Sequence, residues 1–168
     1  MQAIRHSLQG QTMLQAAQLL HLIAAIVWMG GMTCLLFALR PAALALLEGP
    51  VRAKLMVGVW QRFFNLVAAC IVVLFFSGMH LYTSGFRAVK AATGSGSVAL
   101  GWNLMLVVGM AMFLIFGHIY FSGFKKYKTA VAAADFTLAA KAAGQIHTLV
   151  LTNFILGWVA IIGVRLIR

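Results

Sequence analysis

Residues 19–32 read LLHLIAAIVWMGGM, and this stretch decides the fold class of the chain. It belongs to an apolar run over residues 14–39, which is longer than the about 20 residues that a helix needs to cross hydrocarbon about 30 Å thick. His21 lies inside the run, although ionisable side chains are rare in membrane segments and often functional there. The stretch therefore predicts a membrane helix that carries a functional histidine.

Three further apolar runs cover residues 61–86, 100–124 and 145–167. Of the 168 residues, 63% are hydrophobic and 9% are charged, whereas soluble domains have about 25% charged residues. The runs lack the alternation over about ten residues that membrane β-barrels require. The sequence therefore predicts an all-α fold, an integral membrane four-helix bundle that forms one transmembrane domain over residues 1–168 in contact with the lipid bilayer.

The formal net charge of +11 does not indicate a nucleic-acid partner, because the basic residues lie at the ends of the runs and in the loops. Eight of them belong to the first and third loops, namely Arg40, Arg52, Lys54, Arg62, Lys125, Lys126, Lys128 and Lys141. The other five belong to the termini and the second loop, namely Arg5, Arg87, Lys90, Arg165 and Arg168. Since loops rich in Lys and Arg stay in the cytoplasm, the excess predicts that both termini are outside.

Four of the five histidines lie within or at the edge of a run, one for each helix. His21 and His80 are predicted near the outer face, and His118 and His147 near the inner face. Two imidazoles at one depth are the axial ligands that a haem iron takes. Each histidine is equally explained as a hydrogen-bonding bridge between helices or as a residue that reaches the head groups. His6 lies in a polar N-terminal segment and is expected to be solvated.

The chain has too few acidic residues for most other kinds of metal site or proton relay in a membrane. Glu48 and Asp135 are the only carboxylates in the chain, and both fall in predicted loops. Carboxylate-bridged iron, magnesium or calcium sites and carboxylate proton relays are therefore not expected in the membrane. The sequence also lacks the HExxH, GxSxG and phosphate-binding motifs of common enzymes. The pattern favours one or two haem b groups.

Haem propionates need cations at the edge of the membrane. Arg87 and Lys90 are the candidates for an outer haem, and Lys125 and Lys126, with Lys128, for an inner haem. The predicted function is electron transfer across or along the membrane, with a quinone or a redox protein as partner. A membrane oxidoreductase, an oligomer, and a subunit whose histidines only bridge helices stay open.

Copper transport or resistance is the alternative function, because thioether and imidazole ligands select Cu(I). Met79 directly precedes His80, and Met29 and Met32 follow His21 on the first helix. Several glycines in the runs either open space for a flat macrocycle or are ordinary small-residue contacts between helices, namely Gly30, Gly31, Gly78, Gly109, Gly117 and Gly157.

The positions of the tryptophans indicate two different roles. Trp60 and Trp102 are interpreted as anchors at the membrane interface. Trp28 follows His21 by two helical turns and therefore lies on the same face, either as a core residue or as the wall of a pocket.

Residues 21–31, HLIAAIVWMGG, resemble the first helix of the copper-resistance protein D (CopD) family, and Arg40-Pro41 resembles the exit from that helix. Residues 61–78, QRFFNLVAACIVVLFFSG, are similar to the aromatic-led second helix of that family. The resemblance is specific at residues 21–31 and loose over most of the chain. It implies copper handling in the bacterial inner membrane.

Residues 101–120, GWNLMLVVGMAMFLIFGHIY, resemble the third helix of the four-helix membrane protoporphyrinogen oxidase family, with its Gly-Trp start and late histidine, here His118. That family binds haem b, so the resemblance implies haem binding. The chain departs from the family's pattern at Met105, where a basic residue is expected. It departs again at residues 145–148, which read QIHT in place of Asn-Glu-x-Pro. The oxidase activity itself is therefore not implied.

Overall fold

A computed structural model describes residues 2–95 and 98–167 of the chain, with the side chains from residue 9 onward. All regular structure within these ranges is helical, and four helical units are long and apolar enough to cross a membrane. The units are Gln9–Leu46, Gly49–Thr93, Leu100–Ala132 and Phe136–Leu166. The predicted all-α membrane bundle of four helices is confirmed. The predictions for His6, Arg5 and Arg168 lie outside the described side chains.

The first unit is longer than the predicted span. Helix α1 (Gln2–Thr33) continues through a π-helical segment (Cys34–Leu39) into α2 (Arg40–Leu46). Arg40 and Pro41 were expected to begin the first loop, but they form the first turn of α2. A proline is tolerated there because the first amide groups of a helix are not needed for its hydrogen bonds.

The second unit is a single long helix, α3 (Gly49–Thr93), with 45 residues. At 1.5 Å per residue it is about 67 Å long, so its ends extend beyond the hydrocarbon on both sides. It begins with Pro50 in its first turn. Arg52 Nη1 donates a hydrogen bond of 3.0 Å to the carbonyl of Leu47, which ties α3 to the end of α2. The long first loop expected from the sequence is therefore a short break at Leu47 and Glu48.

The third unit follows a short connection. Helix α3 ends at Thr93 and is capped by Gly94, whose positive φ of 70° suits glycine. The connection after α3 is described as far as Ser95 and again from residue 98 onward. Helix α4 (Leu100–His118) then leads into a second π-helical segment (Ile119–Phe124).

The third connection, which is rich in alanine, is largely helical. Helix α5 (Lys125–Ala132) prolongs the third unit, and α6 (Phe136–Leu166) starts after a tight turn. The Asp135 side chain caps α6 by accepting a hydrogen bond of 2.8 Å from the Leu138 amide. One of the two acidic residues of the chain is thus used to begin a helix.

The four units pack as two pairs. Helix α1 packs mainly against α3, and α4 packs mainly against α6. An aromatic cluster joins the two pairs at the end that carries the first and third connections, which we call the aromatic end. There the ring of Phe64 lies 5.2 Å from that of Phe124, and Trp60 lies 4.7 Å from Tyr127. Towards the opposite end a cavity separates the pairs.

Trp60 corrects one prediction. Its side chain is only 6% exposed and is enclosed by aromatic rings, so the interpretation as an anchor in the membrane interface is wrong. Tyr127, which packs on it, donates a hydrogen bond of 3.0 Å to the Ala53 carbonyl. Trp60 therefore belongs to the core that holds α3 against α5.

Candidate functional site

The candidate site is the cavity between the two helix pairs, which we call the central cavity. It has a volume of about 320 Å³, is partly enclosed, and receives side chains from all four helical units. None of the described residues that line it carries a permanent charge, and its single histidine is His21. Trp28 forms part of the wall and stacks on Phe113 at a centroid distance of 6.0 Å. The cavity is therefore apolar with one nitrogen ligand, as is typical of small-molecule sites.

His21 is held by a side chain of α3. The Ser77 hydroxyl donates to the carbonyl of Val73, so its lone pairs are left to accept a hydrogen bond from His21 Nδ1 at 2.9 Å. The ring proton therefore lies on Nδ1, and Nε2 carries a free lone pair. Nε2 has no hydrogen-bond partner among the described side chains, and the carbonyl of Leu74 is a second acceptor near the ring. This is the arrangement of a metal-ligating histidine, whose other ring nitrogen is oriented by a hydrogen bond.

Gly78 explains how the imidazole reaches its position. A Cβ at this residue would lie 3.2 Å from His21 Cε1, a distance closer than most carbon contacts. The glycine thus allows α3 to approach the ring of His21. Gly157 similarly makes room for the thioether of Met29 on the opposite side of the cavity.

Gly109 differs from these two residues, because a Cβ built on it meets no atom within 4 Å. It lines the central cavity together with Gly78 and Gly157. Three of the glycines that the sequence left ambiguous therefore border the cavity, and Gly109 leaves part of its space open. Gly31 instead packs against the ring of Phe63 and is an ordinary helix contact.

Sulfur is abundant in the wall of the cavity. Five methionines line it, namely Met29, Met79, Met105, Met110 and Met112. The side chains of Met29 and Met112 both approach the position that a Cβ on Gly157 would occupy. A thioether is a known second axial ligand of haem and also a ligand of Cu(I).

The other predicted histidines lie elsewhere. His80 is exposed and lines a separate shallow groove between α1 and α3, with Met13 and Leu20. The structure therefore does not bring His21 and His80 into one cavity. His80 lies outside the central cavity although the residue before it, Met79, lines that cavity. His118 is exposed, and His147 is half-buried. Neither lines the central cavity or the groove that contains His80.

The predicted propionate partners lie at opposite ends of the bundle. Arg87 and Lys90 are exposed on α3, beyond the cavity residue Tyr82. Lys125 and Lys126 are exposed on α5, at the aromatic end and away from the central cavity. Only the first two are therefore on the cavity's side of the bundle. Among the described residues no group of three or more His, Cys, Asp or Glu side chains is placed to hold a metal ion.

Sequence reasoning did not identify three polar residues that shape this region. Ser77 orients His21, Asn103 accepts a hydrogen bond of 2.8 Å from the Tyr82 hydroxyl, and Asn153 donates one of 3.2 Å to the Met112 carbonyl. Of the three, Asn153 is the one that the sequence could have revealed, since an amide in the middle of an apolar run needs a partner on another helix.

Trp102, interpreted as an interface anchor, lines the cavity and packs against Gly85.

If His21 ligates the metal of a cofactor such as haem, removing the Ser77 hydroxyl is expected to weaken binding of that cofactor without abolishing it. In Ser77→Ala the imidazole loses the partner that fixes its tautomer, and such losses typically lower the affinity of a metal site by about 10- to 100-fold. The measurement is a haem titration of the purified apoprotein. Ser84→Ala, on the same helix and without a hydrogen bond from its hydroxyl to any described residue, is the matched control and should bind as the wild type does.

Comparison of the chain with known protein families, with curated proteins and with solved structures found no match. The choice between functions therefore depends on the chemistry of the central cavity.

Proposed function

We propose that the protein binds haem b in the central cavity, with His21 as the protein ligand, and that it transfers electrons in the membrane. The observation that carries the proposal is the fixed imidazole of His21, whose Nδ1 donates to Ser77 and whose Nε2 is free, in the wall of an apolar cavity of about 320 Å³. Binding pockets of small molecules and cofactors have volumes of about 300–1,000 Å³.

The residues around the cavity fit a flat, apolar macrocycle. Trp28 and Phe113 offer aromatic faces, and Gly109 leaves open space beside α4. His21 would supply a nitrogen ligand to the haem iron, and one of the cavity methionines would be available as a second ligand. Arg87 and Lys90 lie on the side of the bundle where propionates would leave the cavity.

Bound haem supplies a one-electron redox centre. The chain's own contribution is to hold the His21 ring in one tautomer, to exclude water with apolar side chains, and to keep charged groups out of the wall. Burial, the identity of the ligand and hydrogen bonds to that ligand are among the means by which a protein would set the potential of such a centre. A quinone or a redox protein is the proposed electron partner.

The proposal is restricted to one haem. His118 and His147, with Lys125 and Lys126, were predicted to hold a second haem near the other membrane face. His118 is exposed, and neither histidine lines the central cavity. One haem for each chain is therefore the stoichiometry that we expect.

Copper binding is the second candidate, and the five methionines of the cavity favour it. Met79 and His21 both line the central cavity, so a thioether and an imidazole face the same space. Soft ligands of this kind select Cu(I). The two candidates use the same Nε2 atom and therefore exclude each other at His21.

The haem and copper contents of the purified protein decide between the candidates. Cells that express the chain receive both a haem precursor and copper, and the protein is assayed as its pyridine haemochrome and by elemental analysis. We expect about one haem for each chain and copper only at trace level. Stoichiometric copper without haem would establish the second candidate, and the absence of both would leave His21 as a bridge between helices.

The four apolar units are those of a multi-pass membrane protein. We propose that it resides in the bacterial inner membrane with both termini in the periplasm, because the first and third connections carry the larger share of Lys and Arg. A periplasm-active reporter fused after Arg168 should be active, and one inserted within residues 125–141 should be silent. The opposite pattern would invert the orientation, which would place the central cavity near the cytoplasmic face.

A further inference from the structure

A second protein ligand of a haem held by His21 has to come from the wall of the central cavity that lies across from this residue. The two axial ligands of a haem iron approach it from opposite faces of the macrocycle. Helix α1 packs mainly against α3, and α4 packs mainly against α6, so α4 and α6 form the far wall. Helix α6 contains no methionine, whereas three of the five cavity methionines belong to α4, namely Met105, Met110 and Met112.

Contacts at the outer end of the cavity relate the depth of His21 to positions on α4. The ring of His21 lies against Gly78, where a Cβ would come within 3.2 Å of the Cε1 atom. One turn further along α3, the Tyr82 hydroxyl donates its hydrogen bond of 2.8 Å to Asn103 of α4. Within one turn of this bond, towards the aromatic end, α3 reaches the ring of His21 and α4 passes through Met105.

The ring contact at the inner end of the cavity gives the same depth. Trp28 of α1 stacks on Phe113 of α4 at a centroid distance of 6.0 Å. Both helices run towards the aromatic end, so their side chains lean in the same direction. His21 precedes Trp28 by seven residues, and Met105 precedes Phe113 by eight, which correspond to about 10.5 Å and about 12 Å of helix. The two side chains therefore face the cavity at nearly the same depth.

The other two methionines of α4 are placed less well. Met110 is only three residues before Phe113, so it lies about one turn closer to the aromatic end than the histidine does, and 42% of it is exposed. Met112 lies beside the ring contact, and its Cε atom is 3.4 Å from the position of a Cβ on Gly157 of α6. Met105 is half-buried and lines the cavity, so its thioether is the one that faces the imidazole.

We infer that Met105 is the second axial ligand of a haem in the central cavity, across from His21. The inference rests on the proposed binding of haem and specifies the chemistry of that site. Gly109, one turn after Met105 on the same face of α4, leaves the neighbouring space open for the macrocycle. A thioether paired with an imidazole gives haem a higher reduction potential than two imidazoles do. The site thus favours the reduced state and suits an acceptor of electrons.

The test is the absorption spectrum of the oxidised, haem-loaded protein. A thioether bound to ferric haem gives a weak charge-transfer band in the far red, which two imidazoles do not give. We expect this band in the wild type. Met105→Leu, a substitution of similar volume, should keep haem through His21 but lose the band and become high-spin. Met110→Leu, on the same helix and in the same cavity, is the matched control and should keep the band.

Met105→His keeps the test decisive if Met105→Leu does not fold. It exchanges the thioether for a second imidazole, so the haem should stay low-spin, lose the far-red band and show a lower midpoint potential in a redox titration. A band that persists in Met105→Leu, that disappears equally in Met110→Leu, or that is missing from the haem-loaded wild type would overturn the inference and leave haem binding at His21 intact. Purification of the wild type without haem would overturn the proposed function and this ligand together.

Discussion

The His21→Ala protein is expected to insert and fold but to purify without haem. The substitution removes the only nitrogen ligand among the described residues of the central cavity. Ser77 keeps its hydrogen bond to the Val73 carbonyl, so no polar group is newly buried without a partner. The small cavity left by the ring costs a few kcal/mol, as core truncations of this size do. The measurement is the Soret absorbance per chain of protein purified under equal haem supply.

His80→Ala is the matched control for this substitution. His80 lies on the neighbouring helix within one turn of Ser77, but it lines the separate groove outside the central cavity. Its replacement should leave the haem content unchanged. Equal loss of haem in the two variants would instead support the pairing of His21 with His80 that the sequence suggested, and full retention in both would remove His21 from the site.

The Gly109→Phe protein is expected to lose haem without losing stability. A Cβ on Gly109 meets no atom within 4 Å, so the backbone accepts a side chain there, and the new ring projects into the space that the macrocycle needs. Filling a cavity with an apolar group adds contacts, and replacing glycine within a helix also favours the helix. We therefore expect thermal unfolding of the apoprotein at the wild-type temperature or above, together with a loss of the Soret band.

Gly117→Phe is the control for the effect of the ring itself. Gly117 is on the same helix and also has open space around the position of a Cβ, but among the described residues it does not line the central cavity. Haem content equal to that of the wild type is expected. A Gly109→Phe protein that binds haem normally would show that haem, if present, is held somewhere other than the central cavity.

The membrane fold follows from the sequence because its cause is local. Each unit needs only about 20 consecutive apolar residues, and such runs can be read directly. The ends of the helices are less predictable, as Arg40 and Pro41 show. Both are common where a helix meets a loop, yet here they continue the helix, because the chain beyond the hydrocarbon satisfies its backbone by remaining helical.

The rotation of each helix about its axis is the part that the sequence could not supply. In a soluble protein a polar face marks the outside of a helix, but here both lipid and neighbouring helices are apolar, so no such contrast exists. Met79 and His80 are adjacent, yet the first lines the central cavity and the second lines the groove on the other side. The prediction of His21 as a ligand depended on its residue type and its predicted depth in the membrane, whereas its hydrogen-bond partner Ser77 is 56 residues away in the sequence.

Trp60 illustrates the same limit. A tryptophan beside charged residues fits the membrane interface, but in the structure it is buried among aromatic rings from the third unit. Such burial depends on contacts between residues far apart in the chain, which a single sequence does not reveal.

The most direct test of the central claim is the absorption spectrum of His21→Gly supplied with haem, recorded with and without imidazole. The glycine leaves room for a free imidazole at the position of the missing side chain, beside the Ser77 hydroxyl. If His21 Nε2 is the haem ligand, the variant lacks the wild-type Soret band until imidazole restores it. A variant that holds haem with the wild-type spectrum in the absence of imidazole, and does not respond when imidazole is added, would contradict the claim.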